Sequence, residues 1–179
     1  MYSIKFFSFL LIIIFYPLIR AIPQNDIDRY KPINGTWYTI DPNTGDGYHI
    51  YEVDVKDAYD ISIKVNVTSK TSGRILKPDF NLFNVVLRNG WEDRPALFGY
   101  YETKATVRWK RDEENFVRLD SIKLWGQCSL TYYKGAAPEE DKLMMWEIET
   151  SKQWNFSEGI EIYYYLTRIP QKQFLNVYK

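Results

Sequence analysis

His49 is the only histidine in the 179 residues and Cys128 the only cysteine, so the chemistry open to the side chains is narrow. A nucleophile activated by an imidazole would have to use that one histidine, and neither Cys128 nor any serine carries a nucleophile signature around it. One histidine and one cysteine fall short of an ordinary structural zinc site. Carboxylates are plentiful, as in Glu113-Glu114 and Glu139-Glu140-Asp141, but they cluster in polar loop stretches and read as solvated charge. No Gly-rich phosphate loop follows a strand. His49 as an axial haem ligand is a weaker reading than His49 as a satisfied or rim residue. The expectation is a binding protein rather than an enzyme, with no catalytic residue, no metal and no cofactor.

What the chain has in excess is rings: 15 Tyr, 10 Phe and 6 Trp. Such a surplus suits a β-rich fold with a lined cavity or an adhesive surface. With 23 basic against 23 acidic residues and no long run of one sign, neither nucleic acid nor an anionic membrane surface is an expected partner.

The rings sit in short strand-like runs separated by turn residues. Gly35 to Ile40 leads into the turn 41–47, and Tyr48 to Val55 follows as a second strand. Tyr59 to Val67 alternates apolar and polar without a break, which means one wet and one buried face and puts Asn66 on the wet one. Phe83 to Leu87 is a shorter strand. Leu97 to Trp109 alternates again, with Leu97, Gly99, Tyr101, Thr103, Ala105, Val107 and Trp109 on the inner face. Phe116 to Trp125 and Gln127 to Tyr133 form one bent strand or two, and Leu143 to Ile148 and Ile160 to Arg168 complete the set. Eight strands, or nine, is the number for a barrel that can hold one small ligand.

Two segments fix which barrel this resembles. Asn34-Gly35-Thr36-Trp37-Tyr38 opens the first strand with Gly-x-Trp, and Tyr163-Tyr164-Tyr165-Leu166-Thr167-Arg168 closes the last with an arginine. Together they resemble the lipocalins, in the wider calycin group, whose first-strand tryptophan is crossed by an arginine from the end of the last strand. The avidins also open with a Gly-x-Trp-Tyr strand. The resemblance covers residues 34–170 and implies an all-β, eight-stranded antiparallel up-and-down β-barrel with a short or absent C-terminal helix. It makes Gly35, Trp37 and Arg168 the barrel closure, a ring and a cation whose stacking adds roughly 0.5 to 2 kcal/mol. The Thr-Asp-Tyr turn usual between two late lipocalin strands is missing; Leu130-Thr131-Tyr132-Tyr133 stands there instead.

The function the resemblance implies is a carrier or scavenger for a small hydrophobic or amphipathic ligand such as a fatty acid, sterol, retinoid or lipid mediator. On strand parity its walls would be Tyr51, Tyr59, Ile61, Ile63, Val65, Phe83, Val85, Tyr101, Thr103, Trp109, Met144, Trp146, Tyr163 and Tyr165. Some arthropod salivary lipocalins instead hold biogenic amines through inward carboxylates flanked by aromatics. Here parity puts Glu102, Glu147 and Glu149 outside, which counts against an amine unless a one-residue bulge reverses it. The reading from another class is a solid barrel that binds a host or receptor protein through its loops or an exposed aromatic patch.

Lys5, the apolar run Phe6 to Ile19 and Ala21 read as a secretory signal peptide over residues 1–21, too short to span a bilayer stably. Residues 22–179 then form one barrel domain, secreted to the extracellular space and without a membrane span. The sequons at Asn34, Asn66 and Asn155 become expected glycosylation sites in that context. Cys128 is expected as a buried free thiol, with an intermolecular disulfide as the alternative.

Overall fold

The computed structural model describes residues 24–42, 45–69, 75–110, 117–151 and 156–171. Nine strands follow in chain order: β1 Gly35–Ile40, β2 Tyr48–Val55, β3 Ile61–Val67, β4 Ile75–Leu76, β5 Phe80–Asn89, β6 Pro95–Lys110, β7 Val117–Tyr133, β8 Lys142–Ser151 and β9 Phe156–Thr167. Eight of them close an all-β antiparallel barrel, and the two-residue β4 adds to β6 through Ile75↔Val107 and Leu76↔Thr106. First strand meets last at Tyr38↔Thr167, and β6 continues round to β7 with its pairing unbroken from Ala96↔Thr131 to Lys110↔Val117. Closure of this kind removes the edges that an open sheet would offer to other chains.

Period-two patterning accounts for most of the interior. On β2, His49, Tyr51, Val53 and Val55 are buried while Glu52 and Asp54 are wet; on β3, Ile63 and Val65 alternate with Ser62 and Lys64. The inner face expected for β6 is confirmed over Leu97, Gly99, Tyr101, Thr103 and Ala105. The two runs left open as one strand or two are the single strand β7. Gly126 stands inside it, where an added Cβ would lie 2.0 Å from the Tyr101 ring, so the phenol has room only because that position has no side chain.

One end is plugged. The 3₁₀ turns Gln24–Arg29 and Lys31–Ile33 bring Tyr30 and Ile33 into the core beside Trp37. Trp37 is fully buried, donates its indole N–H to Ile33 O at 2.7 Å and meets Tyr132 edge-on at 6.5 Å. Arg168 lies flat over it, with Cζ 3.5 Å from the ring centroid. Its guanidinium also donates to Asn34 O at 2.8 Å and to Pro32 O. Gly35 makes this possible, because its φ of +108° is in glycine's range and a Cβ there would crowd Arg168 Nη1 at 3.0 Å.

Among the expected sequons, Asn66 is half-buried and donates to Glu52 at 3.2 Å on the wet side of β3. Asn34 is tied down: its amide accepts from Val55 N at 2.6 Å and donates to Val55 O at 3.2 Å. Asn155, the leader 1–21 and the C-terminal segment past 171 lie outside the described residues. Among the described residues no helix is long and apolar enough to cross a membrane.

Cys128 is a buried free thiol whose Sγ–H points at Gly99 O, 3.6 Å away. Burial raises its pKa far above the ordinary thiol range, with Glu147 adding to the effect. Native protein is therefore expected to show no reaction with a thiol-specific disulfide reagent at pH 8, and one thiol per chain after unfolding. A fast native reaction, or a covalent dimer on non-reducing electrophoresis, would contradict that placement.

Candidate functional site

The inner face of β8 is the reverse of the expected one. Leu143, Met145, Glu147, Glu149 and Ser151 are buried while the residues between them are not. The cause is the phase of β9. Arg168 must point inward to reach Trp37, which carries Leu166 and Tyr164 inward with it and turns Tyr163 and Tyr165 out. Directly opposed residues share a face, and the pairs Leu143↔Leu166, Met145↔Tyr164 and Glu147↔Ile162 transmit that phase to β8. Two carboxylates thus enter the barrel.

Lys77 meets them there. It lies in the three-residue link between β4 and β5 and is only 2% exposed. Its ammonium makes an ion pair with Glu149 and stands 3.5 Å from Glu147 Oε1. It also donates to the Tyr101 hydroxyl at 3.1 Å and lies 5.2 Å from the centre of that ring. The Tyr101 hydroxyl faces both carboxylates, Glu149 closely and Glu147 Oε2 at 3.3 Å. A phenol has a single proton to give, and the nearer Glu149 takes it. Glu147 is left as the under-satisfied partner: it is 0% exposed, and its Oε1 has no hydrogen bond.

Burial therefore raises the Glu147 pKa above the usual carboxylate range; Lys77 pulls it back and Glu149 pushes it up again. Burial alone would lower the Lys77 pKa, but the two glutamates outweigh it and hold the ammonium charged. Three phenols surround the group. Tyr51 and Tyr164 hydroxyls share a hydrogen bond of 2.9 Å, and burial first, then Glu147, raises the pKa of Tyr51, Tyr101 and Tyr164 well above the tyrosine norm. They remain neutral donors. Phe80 packs on Tyr101 with 4.6 Å between ring centres, and His49 meets Phe80 edge-on. His49 Nε2 stands 3.3 Å from Asp41 Oδ2, both side chains being buried, although neither ring nitrogen reaches hydrogen-bonding geometry.

The expected wall residues divide accordingly. Tyr51, Ile63, Val65, Tyr101 and Thr103 are buried on inner faces, and Ile61 and Val85 are half-buried against the core. Trp109 belongs to β6, but its side chain lies outside the described residues. Six are corrected. Tyr59 is 86% exposed because it sits in a turn whose backbone N–H groups bond Asp57, before β3 begins. Phe83 is exposed because β5 shifts register between Phe83 and Val86, where Asn84 takes a φ of +51°. Such a bulge flips the face. Met144, Trp146, Tyr163 and Tyr165 all lie on the outer face of β8 and β9, where Trp146 and Tyr163 both donate to the exposed Glu161. Glu147 and Glu149, expected outside, are inside; Glu102 is outside as expected, paired with Lys123.

Lys77 had no sequence signal, being a loop lysine before a proline. The two glutamates had one: counting back by twos from Arg168 gives the inward phase of β9, and antiparallel pairing gives that of β8. Among the described residues no group of three or more His, Cys, Asp or Glu could hold a metal ion. No protein-family model matches the chain, and no curated protein or solved structure matches it either.

Proposed function

We propose that this chain is a secreted lipocalin-type carrier or scavenger whose ligand is small and amphipathic, with a protonated amine at its polar end. One observation carries the ligand class: Glu147 and Glu149 face into the barrel beneath the rings of Tyr101 and Phe80. An ammonium there meets carboxylates and a ring face together, and an apolar body has aromatic walls to lie against. A fatty acid would add a third carboxylate to two that already share the one Lys77 ammonium, and is disfavoured by like charge. Sterols and retinoids find phenol donors but bring no cation to a group that holds two carboxylates against one ammonium. The leader over residues 1–21 and the closure by Trp37 and Arg168 support the secreted, lipocalin-type part of the reading, including a salivary or host-modulating role.

Calorimetry tests it with tyramine, its neutral isostere 4-propylphenol, and octanoate. A charge-assisted hydrogen bond contributes about 1.5 to 3 kcal/mol, so the neutral isostere is expected to bind at least tenfold more weakly, and octanoate more weakly still. Equal or tighter binding of 4-propylphenol or octanoate would overturn the amine. A second reading, a module that binds a host or receptor protein through its outside, draws on the exposed Tyr163 and Tyr165 beside Trp146. It gains if none of the three small molecules binds.

A further inference from the structure

We propose that Lys77 is a tethered competitor: its side chain fills the cation subsite of the barrel, and a ligand amine enters by displacing it as the link between β4 and β5 withdraws. This rests on the amine reading above and adds how access is controlled.

Three observations carry it. The first is that Lys77 already makes the contacts an amine ligand would make, with Glu149, with the Tyr101 hydroxyl and over the Tyr101 ring. The second is that the subsite is not fully used. It offers two carboxylates to one ammonium, and the buried Glu147 Oε1 has no hydrogen bond and sits 3.5 Å from Nζ. A core built only to neutralise a lysine would need one carboxylate; here a second shares the same ammonium at 3.5 Å and the Tyr101 hydroxyl at 3.3 Å, so the group holds more negative charge than the lysine alone balances. The third is how lightly the lysine is held from behind. β4 is two residues long and meets β6 through two pairs, Pro78 has no N–H to give, and the exposed Pro78 and Asp79 are tied to β3 by the bond from Val67 N to the Asp79 carboxylate at 2.7 Å. Among the described residues, withdrawal of Lys77 would release the β4–β6 pairs and the Val67–Asp79 bond, whereas withdrawal of Glu147 or Glu149 would tear β8 from both neighbours.

A site blocked by its own side chain binds with an affinity reduced by the open fraction. Tethering keeps the competing ammonium at a local concentration in the millimolar range, so a micromolar amine faces a strong rival. Replacing the lysine should remove the rival and leave the carboxylates.

Tyramine is titrated calorimetrically into the full chain and into Lys77→Gln, which removes the charge but keeps a polar donor, with Lys77→Met as a second variant. Hydrogen exchange is followed in peptides covering 75–79 of the unmodified chain, with and without tyramine. The expected result is affinity at least tenfold higher in either variant and faster exchange over 75–79 when tyramine binds. Binding by the variants with none by the unmodified chain would also support the competitor. Equal affinity in all three, or slower exchange over 75–79 with ligand, would overturn it and leave the amine carrier standing. No binding by any of them would remove both readings. Loss of folding in both variants would identify Lys77 as a structural strut and overturn the proposal.

Discussion

Trp37→Ala is expected to cost about 3 to 5 kcal/mol of unfolding free energy, the range for deleting a large buried aromatic without collapse of the space it leaves. Little collapse is available, because the indole is held from every side: Ile33 O on its N–H, Tyr132 at its edge and the Arg168 guanidinium on its face. Arg168→Ala should cost less, roughly 1 to 3 kcal/mol, from the lost stacking and from two backbone carbonyls, Asn34 O and Pro32 O, that lose their donor. Urea unfolding of the two variants, compared at equal slope, measures both. Unchanged midpoints would mean that the barrel end is not held by this stack.

The second large effect lies in the interior. Glu147→Gln combined with Glu149→Gln would leave the Lys77 ammonium buried with only the weaker pull of the Asp41 carboxylate to offset its charge. An uncompensated buried charge costs about 3 to 5 kcal/mol; the low end is expected here, since withdrawal of the link between β4 and β5 lets the ammonium reach water. Adding Lys77→Met removes the stranded charge and should recover most of the loss, as apolar replacement of a whole buried ion group often does. The test is a stability cycle over the double and triple variants. A triple variant no more stable than the double would show that the charges are not coupled.

These effects divide along the line between what the sequence reveals and what it hides. Trp37, Gly35 and Arg168 were legible because closure of a barrel needs a bulky plug, a close approach and a cation at set places along the chain. The inner face of β6 was legible because Tyr101, Thr103 and Ala105 alternate with Glu102 and Lys104, so polarity contrast marks the phase. On β9 there is no such contrast, since Ile162, Tyr164 and Leu166 are as apolar as Tyr163 and Tyr165. On β8 the contrast points the wrong way: Met144, Trp146 and Ile148 turn outward while two glutamates turn in. Hydrophobic alternation reads which face prefers water, and at a buried ion group that preference is overridden by charge pairing. The partner that makes the override possible, Lys77, comes from a link whose path into the barrel no local pattern encodes.

The outward turn of β8 and β9 has an optical consequence. Trp91 and Trp125 are exposed and Trp146 is on the outer face, whereas Trp37 is fully buried under a guanidinium. Among the indoles whose side chains are described, three of four therefore emit from outside the barrel, and a small molecule seated among the interior phenols would not touch those three. Heat and mass follow occupancy directly, whereas quenching of Trp91, Trp125 and Trp146 would report on the outer surface.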